Sequence, residues 1–126
     1  MARELSIRAD LGELRSAREF AAGIARDHGL SDDDVYGVKL AMSEAVANAI
    51  QHGSNAEQDV VAIWAAVEGD SLAFYVRDTG SFRAQAPPRG DLPERGRGLE
   101  FMGAVMDEVD VRPGSEGTEL RFAKKI

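Results

Sequence analysis

Apolar and polar residues alternate at the start of the chain, with Leu5, Ile7 and Ala9 on one parity, which predicts a short half-buried strand ending at Asp10. The period then lengthens. Leu11, Leu14, Ala17, Ala21, Ile24 and Ala25 recur at three- and four-residue steps, with Asp10 placed to cap the start and Gly29 just past the end, so a first amphipathic helix is expected. Ser31 and Asp34 have the spacing of a capping box, and Val35, Val38, Met42, Ala45 and Ala49 continue a second helical stripe that stops at Gly53.

Residues 59–67 and 71–78 are β-rich runs separated by Glu68, Gly69 and Asp70, the pattern of a hairpin. In the second run Leu72, Phe74, Val76 and Asp78 share one parity, so a carboxylate at the strand end is aimed inward. Residues 79–95 carry three prolines and no periodicity, a long loop for so small a chain. Leu99, Met102, Val105 and Met106 mark a short third helix opened by Gly96, Arg97 and Gly98. Val109 and Val111 suggest a fourth strand, Pro113 and Gly114 a turn, and Thr118, Leu120 and Phe122 a last strand with one face buried. Grouped helices and hairpin-joined strands predict an α+β fold: a two-layer sandwich in which helices cover one face of a mostly antiparallel, mixed sheet.

Composition narrows the class. The 126 residues are 44% apolar and 29% charged, which suits one globular domain over 1–126 and excludes disordered or fibrous chains. No apolar run approaches the roughly 18 residues that span a bilayer, and the start lacks the apolar core of a signal peptide, so a cytoplasmic protein with no membrane partner is expected. Without cysteine there is no disulfide, thiolate nucleophile or Cys-ligated metal. A formal net charge of −7 repels a phosphate backbone, which argues against direct nucleic-acid binding. None of the three lysines, Lys39, Lys124 and Lys125, stands in a P-loop arrangement, so any phosphate must be held by other means.

Glu44, Asn48 and His52 lie four apart and form one polar stripe on the second helix, each about 40° around from the last. A solvated face is the ordinary explanation of such a stripe. Its neighbours Ala41, Ala45, Val46, Ala49 and Ile50 are small or apolar, however, and a Glu and an Asn at an apolar rim suit a base and a metal ligand. Asp78, followed by Gly80, is either a turn aspartate or a buried carboxylate whose partner is the amine of a bound base. Gly96, Arg97 and Gly98 precede a helix start that favours an anion, but two glycines alone are a weak signal that does not override the ordinary explanation of a flexible loop end. His28, at a helix C-terminus, reads as a dipole contact.

In order and spacing, SEAVANAIQHG, VRDTGSF, RGRGL and EGTELRF resemble the four ATP-binding boxes of the GHKL (Bergerat-fold) ATPase superfamily, and within it the anti-sigma factor serine/threonine kinases. The resemblance spans nearly the whole chain and implies a set of roles. Asn48 would coordinate the Mg2+ that bridges the ATP phosphates, Glu44 would be the general base, and His52 would support the same box. Asp78 would bond the adenine amino group, with Gly80 beneath the ring and Thr118 nearby. Gly96, Arg97, Gly98 and Leu99 would hold the phosphates, and 79–95 would be the ATP lid. Phe82 departs from the pattern, standing where a second glycine is usual.

The resemblance further implies a homodimer that sequesters an RNA polymerase sigma factor and phosphorylates a STAS-domain anti-anti-sigma antagonist, with Arg18 in partner contact. The acidic charge suits a basic sigma-factor surface. Two other readings stand beside this one. One is a non-catalytic ATP-binding module that binds a sigma factor or other regulator; the other is the catalytic domain of a histidine kinase, which the absence of room for a phosphoacceptor helix pair disfavours.

Overall fold

The computed structural model describes residues 3–53, 60–78, 102–114 and 117–126. In chain order they form β1 (Arg3–Arg8), a 3-10 turn (Leu11–Glu13), α1 (Leu14–Asp27), α2 (Asp32–Gly53), β2 (Val60–Glu68), β3 (Ser71–Asp78), a helical turn over 102–105, β4 (Glu108–Gly114) and β5 (Gly117–Lys125). The five strands make one sheet in the order β1-β2-β3-β5-β4, and each of the four pairings is antiparallel.

Register explains which face is core. Leu5, Ile63, Val76, Leu120 and Val111 align across all five strands, and Ala65, Phe74, Phe122 and Val109 form the next row. Paired residues point to the same side of a sheet, so both rows face the helices together. Phe74 and Phe122 are fully buried and stack with ring centroids 5.4 Å apart. Burial of two such rings is the largest apolar contribution of this layer.

The helices approach each other closely because their contact is built from small side chains. Ala17, Ala21, Ala22 and Ala25 of α1 and Ala41 and Ala45 of α2 are at most 1% exposed. The cap of α2 forms as its spacing predicts: the amide of Asp34 donates to Ser31 Oγ at 3.1 Å, and three aspartates occupy the first turn, where the helix dipole favours them. Gly29 ends α1 at φ +82° and Gly69 makes the β2–β3 turn at φ +64°, values that an L side chain rarely adopts.

Two local expectations change. Asp10 caps a 3-10 turn rather than α1 itself, accepting from the Gly12 amide at 2.9 Å, and Leu11 consequently stands 48% exposed instead of joining the core stripe. Pro113 and Gly114, expected as a turn, extend β4 opposite Thr118 and Gly117. Proline is tolerated there because β4 is an edge strand and needs no donor on its outer side. Of the expected third helix, only 102–106 lies among the described residues, with Met102 and Met106 buried.

The other sheet face carries no helix among the described residues and is held by a polar network. Trp64 and Tyr75 stack at 5.1 Å, and Tyr75 Oη donates to Glu68. Arg121 bonds Glu68 at 2.8 Å and Glu108 at 2.7 Å, with Asp110 at 3.4 Å. These hydrogen bonds, first from Tyr75 and then from Arg121, hold the Glu68 carboxyl below the usual glutamate range. Folding therefore gains from ionised Glu68 at any pH above its ordinary value near 4.5, and the gain is lost as pH falls through the lowered folded value. In urea unfolding series from pH 7 to pH 3, Glu68→Gln should lose less stability on acidification than the unaltered chain. Parallel pH profiles for the two would remove Glu68 from this account.

Candidate functional site

The candidate residues that the structure describes lie on α2, at the end of β3 and at the start of β5. Helix α2 packs against β2, β3 and β5, which fixes its rotation: Val38, Ala41, Met42, Ala45 and Val46 point into the core and are at most 1% exposed. Glu44 and Asn48 lie one turn apart beside this buried stripe and are half-buried. A carboxylate and an amide in such a position keep some water while facing one side of a fixed helix. That arrangement suits a general base and an oxygen ligand better than a fully solvated stripe would. No cluster of three His, Cys, Asp or Glu residues able to hold a metal exists among the described residues.

Asp78 is 1% exposed, the inward carboxylate that strand parity predicts. Its Oδ2 accepts from the backbone amide of Thr118 at 3.1 Å, across a separation of 40 residues. The β3–β5 register reaches Arg77 opposite Glu119, so Asp78 and Thr118 meet one step further along the same pair of strands. Thr118 Oγ1 is buried and has no hydrogen-bond partner among the described residues. A buried hydroxyl left unpaired costs free energy, and such groups are uncommon. Asp78 and this hydroxyl together offer an acceptor beside a group that both donates and accepts. The edge of an adenine base, with its amine next to a ring nitrogen, has the complementary pattern.

The structure brings together Asp78 with Thr118, and it sets Glu44 and Asn48 four residues apart on α2. His52 falls within α2, but its side chain lies outside the described residues, as do Gly80, Phe82, the 79–95 segment, Gly96, Arg97, Gly98 and Leu99. Arg18 is half-buried on α1 rather than solvated, and its Nη1 donates to Ser43 Oγ at 3.5 Å, on the residue preceding Glu44. His28 Nδ1 lies 2.9 Å from the Ile24 carbonyl oxygen, a helix-end contact as expected. Sequence reasoning passed over Lys124 and Ser43. The signal for Lys124 was present, since it continues the inward parity of Thr118, Leu120 and Phe122.

The histidine kinase-like ATPase domain family matches residues 7–124. The chain is 32% identical to the serine-protein kinase RsbW of Bacillus cereus, over 98% of this chain and 84% of that one. It is 34% identical to an anti-sigma F factor of Clostridium acetobutylicum, over 87% of this chain and 83% of that one. Among solved structures, a Mycobacterium tuberculosis protein comprising RsbU and RsbW domains superposes with a TM-score of 0.76 at 21% identity. That match covers 99% of this chain and 32% of the other, and it bears on the fold alone.

An unpaired buried hydroxyl has a measurable consequence. Thr118→Val keeps the shape of the side chain and removes the orphaned oxygen, so it should stabilise the ligand-free chain by about 1 kcal/mol in chemical denaturation. A destabilisation of that size instead would mean that Oγ1 has a partner in solution.

Proposed function

The chain belongs to the histidine kinase-like ATPase domain family, and from that premise we propose that it is an ATP-dependent protein serine/threonine kinase that also acts as an anti-sigma factor. The observation that carries the nucleotide half of this reading is the buried Asp78 beside the unpartnered Thr118 hydroxyl. The protein half rests on similarity over nearly the full length to a serine-protein kinase and to an anti-sigma F factor.

In this reading Asp78 accepts the adenine amine, with Gly80 beneath the ring, and Thr118 Oγ1 bonds the neighbouring edge. Asn48 is the protein ligand of Mg2+, with His52 supporting the same end of α2. Gly96, Arg97, Gly98 and Leu99 hold the phosphates. When bound, ATP·Mg supplies the phosphoryl group and the counter-charge for its transfer. The Glu44 carboxylate accepts the proton of the incoming serine or threonine hydroxyl, which raises the nucleophilicity of that oxygen. Its half-burial beside the alanine-rich stripe limits competing water and keeps it within reach of a docked protein.

The acceptor is a STAS-domain anti-anti-sigma protein, and the same chain, as a cytoplasmic homodimer, otherwise sequesters an RNA polymerase sigma factor. Arg18 belongs to the partner-contact surface. Its bond to Ser43, on the helix that carries Glu44, supports a reading in which docking and catalysis share one element. None of the described helices is long and apolar enough to cross a membrane.

Calorimetry with ATP·Mg should show binding that Asn48→Ala weakens and Asp78→Asn abolishes. Glu44→Gln should still bind ATP and lose phosphoryl transfer to the STAS partner by about 10²- to 10⁴-fold. Transfer that is unchanged in Glu44→Gln would rule out its role as base. Nucleotide binding with no transfer to any such partner would instead favour a non-catalytic module in which ATP shapes a regulator-binding surface.

A further inference from the structure

The two edges of the sheet are unlike. β4 carries Pro113, which has no amide to donate, and Arg121 engages its Glu108 and Asp110. Proline and charged side chains are ordinary means of keeping an edge strand from pairing with another chain. β1 has no proline, and among the described residues its only strand partner is β2. Its outer row of N–H and C=O groups is therefore open to a further strand. Leu5 and Ile7 belong to the helix-covered face, while Glu4, Ser6 and Arg8 are exposed on the other, opposite Trp64, Ala62 and Val60.

Two copies of one strand can pair antiparallel about a two-fold axis normal to the sheet, with the helices of both copies on the same side. The numbers of facing residues then have a constant, even sum, so one residue faces its own copy. The side chains of β1 select that residue. Centring on Ser6 sets Glu4 of each copy opposite Arg8 of the other, and Leu5 opposite Ile7. Within one chain Glu4 and Arg8 stand about 13 Å apart along an extended strand and cannot meet. Leu5, only partly buried in the single chain, gains an apolar neighbour. Centring on Leu5 would set Glu4 opposite Ser6, and centring on Glu4 or Ile7 would set Glu4 opposite itself or opposite Asp10. Facing opposite charges stabilise a strand pair and facing like charges destabilise it. β4 fails the same test, since the register that sets Glu108 opposite Arg112 puts Asp110 against its own copy.

We infer that β1 is the seam of the homodimer proposed above: two copies pair through this strand, antiparallel and centred on Ser6, with a Glu4–Arg8 ion pair at each end. The two sheets join into one, bounded on both sides by the proline-bearing β4 edges. Of the proposed function this presupposes the homodimer and leaves the nucleotide site aside.

Light scattering over a concentration series should give the intact chain twice its monomer mass. Because the chain has no cysteine, single cysteines report the register. Ser6→Cys should be linked to its own copy by a short bifunctional thiol reagent, since facing Cβ atoms are about 5 Å apart. Glu4→Cys and Arg8→Cys should each stay unlinked alone, their copies standing about 13 Å apart along the seam, and should link when mixed. Glu4→Arg should weaken the dimer roughly ten-fold, and Arg8→Glu added to it should restore the affinity. A dimer in which Ser6→Cys stays unlinked, or in which the exchanged charges restore nothing, overturns the β1 seam and leaves the homodimer standing. A chain that is monomeric throughout overturns the homodimer and the seam together.

Discussion

The period of two along β3 governs this molecule. Helices cover one face of the sheet, so Leu72, Phe74 and Val76 must be apolar to be buried there, and Asp78, at the next inward position, is delivered into the same dry layer. A carboxylate in such surroundings requires hydrogen-bond donors. The Thr118 amide is one, and it is available only because β5 rather than β4 is the neighbour of β3. The site thus depends on a strand order in which the last strand inserts beside the central one.

That insertion has a second effect. By entering the middle of the sheet, β5 brings Phe122 onto Phe74 and Lys124 under α2 and the 102–107 turn. The elements that carry the candidate residues therefore share one support, with α2 packed on β3 and β5 and Lys124 of β5 holding the Val105 carbonyl of the helical turn. The alanine-lined contact of α1 with α2 keeps α2 in place from its other side and carries Arg18 to within reach of Ser43. Much of the small chain is spent on holding a few polar groups in fixed relation. That is what a site acting through preorganised hydrogen bonds needs.

The uncovered face is organised differently. Arg121, Glu68, Glu108, Asp110 and Tyr75 satisfy one another across β2, β3, β4 and β5, and the Trp64–Tyr75 stack covers the apolar centre. A sheet with one wet face requires some such arrangement, because alternate residues of every strand point outward whether or not a helix is there to cover them.

Local patterns were enough to place most elements. Alternation around Leu5 and Ile7, the three- and four-residue steps from Leu14 to Ala25, the Ser31 cap and the glycines at 29 and 69 all act within a few residues, so they could be read without the fold. The inward aim of Asp78 and the common face of Glu44 and Asn48 follow from strand and helix periods for the same reason. Leu11 and Pro113 were misread because their states turn on a short 3-10 turn and on an edge position, which no local period encodes. What only the tertiary structure decided is which distant groups meet: the Thr118 amide with Asp78, Arg18 with Ser43, and Lys124 with both Val105 and Asp34. Those contacts depend on strand order and helix packing. Both are set by burial of apolar surface over the whole chain rather than by any segment alone.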